Sequence, residues 1–84
     1  MTIKDANIFL EIFRGEVRTE EYCISVDKKN LDAFKPLFED GNATEEDRKQ
    51  AQQLEERIRE RHNKITTLIG AIHDIETRDF AVTL

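Results

Sequence analysis

TEEDRKQAQQLEERIRERHNKITTLIGAIHDIET, residues 44–77, is the stretch whose reading decides the fold. Thr44 is a helix-capping residue, and Glu45, Glu46 and Asp47 follow it, placing carboxylates where a first turn carries the positive end of the helix dipole. No proline interrupts the segment, and its first half is built from Gln, Glu, Arg, Lys, Ala and Leu, all good helix formers. Gly70 costs about 1 kcal/mol relative to Ala without forbidding the helix. Apolar residues recur at Ala51, Leu54, Ile58, Ile65, Leu68, Ile72 and Ile75, in alternating steps of three and four that Arg61 alone interrupts. In heptad terms Ala51, Ile58, Ile65 and Ile72 occupy position a, and Leu54, Arg61, Leu68 and Ile75 occupy position d. Ile at a with Leu at d favours paired parallel helices.

Length turns this pattern into a question of cover. A helix over 44–77 would run about 51 Å at 1.5 Å per residue. A compact chain of 84 residues has a radius of gyration of about 12 Å, hence a diameter near 30 Å. The rest of the chain is then expected to leave much of the apolar seam bare, and a second copy is the first candidate to cover it. A different protein and an intramolecular hairpin are the alternatives. The seam is broad around Ile65, Leu68, Ile69 and Ile72, which suits a core made with Ile3, Phe9, Leu10 and Phe13. Around Ala51, Leu54 and Ile58 it is narrow, which predicts a protruding arm. Arg61 within the seam costs stability unless it reaches water or an acid. Its replacement by Leu is expected to stabilise an occupied seam.

Upstream, Thr2-Ile3-Lys4-Asp5 reads as a helix cap. Ile3, Ala6, Leu10, Phe13 and Val17 share one helical face, widened by Ile8, Phe9 and Ile12. The spacing predicts a helix over 3–14 with Gly15 as its left-handed terminator. A strand is the rival over 8–14, because Phe9-Leu10-Glu11-Ile12-Phe13 is rich in β-formers. Tyr22, Ile24 and Val26 alternate with Cys23 and Ser25, so 19–27 reads as a short strand. Asp27 then caps a helix through Phe34. Pro36 predicts a break, with Leu37-Phe38 as a short turn, and Gly41-Asn42 a further turn. Phe80-Ala81-Val82-Thr83-Leu84 alternates as well, and a small β element from 21–26 and 80–84 is the expectation. The fold class is therefore mainly α: an N-terminal amphipathic helix, a short irregular or β middle and a long heptad-bearing helix, in one domain over 1–84.

Composition narrows the function. Charged residues are 37% of the chain, apolar ones 38%, and the net charge is −5. No run of 18 apolar residues exists to span a membrane, and no secretory signal is visible, so the expectation is a cytoplasmic protein. A lone cysteine makes neither an internal disulfide nor a zinc site. Cys23, between Tyr22 and Ile24, reads as a small buried hydrophobe rather than a nucleophile. His62 and His73 lie about 16 Å apart along one helix and cannot share a metal. His73, Asp74 and Glu76 read as a solvated last turn. No glycine-rich loop precedes a helix to hold phosphate, and Asn42-Ala43-Thr44 matches a glycosylation acceptor only by chance. No catalytic residue, cofactor or metal is expected, and the chain reads as no enzyme.

Charge is unevenly placed. Residues 1–47 carry six Lys/Arg against twelve Asp/Glu, whereas 57–64 hold Arg57, Arg59, Arg61 and Lys64 against Glu60 alone. Phosphate contacts need clustered cations, but Glu55, Glu56 and Glu60 dilute these, and no aromatic residue interleaves for base stacking. The expected function is that of a small acidic interaction protein. It dimerises through Ala51, Leu54, Ile58, Arg61, Ile65, Leu68, Ile72 and Ile75 and binds or inhibits a protein partner, in the size class of regulators and phage-type host modulators. The alternative is RNA or DNA binding through Arg57, Arg59, Arg61 and Lys64.

Overall fold

A computed structural model describes residues 2–77. They form three helices: α1 (Ile3–Asp32), α2 (Lys35–Glu39) and α3 (Glu45–Thr77). No strand occurs among the described residues. α1 and α3 pack against each other as an antiparallel hairpin. Arg14 meets Glu76 at one end, Glu20 meets Lys64 near the middle, and Asp27 meets Arg57 toward the connection. The molecule is a rod with principal extents of 64 × 15 × 14 Å and a radius of gyration of 19.0 Å, far above the roughly 12 Å of a compact chain this long.

Both long helices start as their sequences direct. The Asp5 amide donates to Thr2 Oγ1 at 3.1 Å. At α3 the pair is reciprocal: the Asp47 amide donates to Thr44 Oγ1 at 3.1 Å, and the Thr44 amide donates to Asp47 Oδ2 at 3.0 Å. This capping box satisfies two amides that a helix start would otherwise leave free. α1 ends at Asp32, short of Pro36, which sits in the first turn of α2 where its missing donor costs nothing. Leu37-Phe38 therefore belongs to a single helical turn. Gly41 has φ +72°, a conformation glycine adopts freely, and the Asn42 amide closes the turn on the Leu37 carbonyl at 2.9 Å.

Four expectations from the sequence are corrected. Gly15 does not end the first helix, which runs straight through it. Residues 19–27 are helix rather than strand, and Asp27 lies within α1 instead of capping a later helix. The segment around Ala51 is no protruding arm, since Ala51 is buried. Ile3 and Phe9 are exposed, whereas Leu10 and Phe13 line the seam half-buried. One physical cause underlies the first three. Ala6, Leu10, Phe13, Val17, Glu20, Ile24, Asp27, Leu31 and Phe34 continue the alternating steps of four and three along one face of α1. Packing that face against α3 outweighs the local β preference of Tyr22, Ile24 and Val26. An unbroken α1 of 30 residues is about 45 Å long and shelters nearly all of α3. The mismatch between long helix and short remainder disappears, because the remainder is itself a rod. The element expected from 21–26 and 80–84 loses its first strand to α1; 80–84 lie outside the described residues. No described helix is long and apolar enough to cross a membrane.

Candidate functional site

The middle of the seam is charged. Glu20 and Asp27 occupy core positions seven residues apart, and their residues are only 7% and 2% exposed. Arg61, the sole interruption of the α3 heptad, faces both. Its Nη1 donates to Glu20 Oε2 at 2.8 Å, and its Nε, buried with no hydrogen-bond partner, lies 3.5 Å from Asp27 Oδ2. Arg57 grips Asp27 through two parallel donors, Nε to Oδ2 at 3.2 Å and Nη2 to Oδ1 at 2.5 Å. Lys64 Nζ donates to Glu20 Oε1 at 3.0 Å.

Electrostatics follow from these contacts. The hydrogen bond from Arg61, then that from Lys64, lowers the Glu20 pKa below the usual carboxylate range against an opposing burial effect. The Arg57 hydrogen bond does the same for Asp27. Reciprocally, Asp27 raises Arg57 and Glu20 raises Arg61. Burying one charge alone would be costly, and the cluster avoids it by supplying each carboxylate with two cationic partners.

The candidate site residues divide accordingly. Ala51, Leu54, Ile58, Arg61, Ile65, Leu68, Ile72 and Ile75 are the buried or half-buried residues of one face of α3, and in this hairpin α1 of the same chain occupies that face. Of the basic quartet, Arg57, Arg61 and Lys64 turn toward Glu20 and Asp27. Arg59 is the one member without an ion pair among the described residues. Cys23 is half-buried beside Arg57 and Arg61. No group of three potential metal ligands comes together among the described residues, so His73, Asp74 and Glu76 make no cage.

Sequence reasoning passed over a second surface. α1 carries apolar side chains on the side opposite its seam: Ile8 is 47% exposed, Ile12 50% and Tyr22 69%, with Val26 also exposed. Their spacing, 8, 12, 22 and 26, fits steps of four and three once Gly15 and Thr19 are included. The signal was present in the residues that widened the first amphipathic stripe. It reads as one broad face only while α1 is taken to stop at Gly15. The chain matches no family model, no curated protein and no solved structure.

Proposed function

We propose that this protein is a non-enzymatic interaction protein, a stiff helical hairpin that binds or blocks a protein partner through the outer face of α1. The observation that carries the reading is that face itself. Scattered surface hydrophobics need no explanation, but aliphatic and aromatic residues aligned along one rod face mark a contact surface. The dimer expected through the α3 seam would require α1 to lift away and expose Glu20 and Asp27, so contact through the free side of α1 is the reading with the smaller cost. Nucleic-acid binding is the weaker reading, because three of the four cations it needs are engaged with carboxylates.

The test compares immobilised wild-type protein with the Ile8→Glu/Ile12→Glu double variant, both checked for equal helical circular dichroism. A protein retained by the wild type and lost by the variant supports the reading. Equal retention by both overturns it. A salt-dependent shift of RNA or DNA, abolished by reversing Arg57, Arg59, Arg61 and Lys64, would replace it with the alternative.

A further inference from the structure

Resting on that reading, we propose that the outer face of α1 binds a second copy of this chain, antiparallel, about a two-fold axis level with Phe13 and Arg14. The face is self-complementary in size. Between Asp5 and Tyr22 it presents Ile8 and Ile12 toward the N-terminus and the smaller Gly15 and Thr19 toward the C-terminus. In an antiparallel pair whose opposed residue numbers sum to 27, Ile12 falls on the partner's Gly15 and Ile8 on the partner's Thr19. Each isoleucine then faces a smaller residue. Gly15 has no reason to be glycine inside the hairpin. A Cβ built there would meet nothing closer than the Arg18 guanidinium at 3.9 Å, and its φ is an ordinary helical one. Glycine within a helix is unfavourable relative to alanine, and its lack of a side chain leaves the backbone there open to close approach from outside.

Charge selects the same arrangement. Along one edge of the face stand Lys4, Glu11 and Arg18, and along the other Glu16; all four are exposed, and none has an ion pair among the described residues. In the stated register Glu11 meets the partner's Arg18, and the two-fold repeats the pair. Sliding one heptad sets Arg18 against its own copy. A parallel pair sets Glu11 near the partner's Glu16 and stacks isoleucine on isoleucine and glycine on glycine. The flanking charges therefore disfavour both competitors. An isologous contact of this kind closes as a dimer and does not propagate. It spans about 26 Å of helix from Asp5 to Tyr22, short of a full-sized interface of roughly 800 Å² per partner. The association is accordingly reversible.

Sedimentation equilibrium on the whole chain from about 1 to 500 µM tests this. Wild type is expected to pass from monomer to dimer, with no larger species. Arg18→Glu is expected to weaken the dimer at least tenfold, and Glu11→Arg added to it to restore the dimer, since the reversed charges still pair across the axis. Gly15→Leu is expected to give a folded monomer, as the space facing the partner's Ile12 is filled while the hairpin has room for the side chain. A wild type monomeric at 500 µM overturns the inference, and if partner capture by Ile8 and Ile12 persists, the interaction reading survives with a different occupant. A dimer indifferent to both Arg18→Glu and Gly15→Leu uses another surface and overturns it as well.

Discussion

The two parts of the seam do different work. Toward the start of α1 and the end of α3 it is lined by Leu10, Phe13 and Val17 on one side and by Ile65, Leu68, Ile72 and Ile75 on the other. In the middle, two carboxylates meet three cations. Apolar residues at regular spacing stabilise a hairpin but tolerate a slip of one heptad, since one aliphatic layer resembles the next. The ion cluster does not tolerate it. Moving α1 by seven residues would take Glu20 or Asp27 away from its partners and leave a buried carboxylate alone, the costliest state available to this seam. The apolar layers, which continue through and past the cluster at Ile24 and Ala51, thus contribute stability, and the cluster contributes register.

The apolar part should show the largest loss. Leu68→Ala is expected to lower stability by about 2–3 kcal/mol, read by urea denaturation followed at 222 nm. A loss below about 1 kcal/mol would mean that the aliphatic layers contribute less than the comparison requires. Arg61→Leu comes next and reverses the expectation drawn from the heptad alone. It is expected to lower the denaturation midpoint, because Glu20 is left with Lys64 and Asp27 with Arg57. Replacing Glu20, Asp27 and Arg61 together with Leu should recover or exceed the wild-type midpoint while admitting slipped registers, detectable as duplicated amide resonances. A single set of resonances would remove the register role from the cluster.

Acid should act chiefly on the charged part. Glu20 and Asp27 have folded-state pKa values below their unfolded ones. Their contribution is fully present above the ordinary carboxylate value near 4 and is lost as pH falls through the lowered folded values. Stability is therefore expected to be level from about pH 6 to pH 5 and to decline below about pH 4. The decline should be shallower in Glu20→Gln/Asp27→Asn. An equally steep decline in that variant would place the acid sensitivity elsewhere.

The smallest effects separate Gly41 from Gly15. Gly41→Ala should cost about 1 kcal/mol, because alanine is strained at positive φ. Gly15→Ala should stabilise the monomer by up to about 1 kcal/mol, since it removes a helix-interior glycine with open space around it. Thermal unfolding at low concentration distinguishes the signs.

Much of this architecture was legible from residues alone. Thr44 with Asp47 announced the start of α3, Pro36 and Gly41 announced the break, and the heptad from Ala51 to Ile75 identified the face that is covered. What was hidden is the second half of α1. Its core positions at 20 and 27 are acids, and a hydrophobic count treats an acid as the end of a stripe. Only the basic residue at 61, itself an apparent flaw in the other helix, reveals that the flaws match. Counting steps of three and four regardless of polarity carries the pattern from Ala6 to Phe34 without a gap. The free face of α1 was obscured for a related reason, because a helix with two apolar sides looks in projection like one that is merely very hydrophobic.

The hairpin also fixes where things can be attached. Ile3 and Thr77 lie at the same end of the rod, and the short connection around Gly41 lies at the other. Cargo fused beside either of those helix ends would be held some 45 Å from anything bound at the bend, by a strut two helices thick with no joint along its length. The molecule is a ruler whose two marks are set by the number of turns in α1, and adding or deleting a whole heptad from both helices would move those marks by about 10 Å.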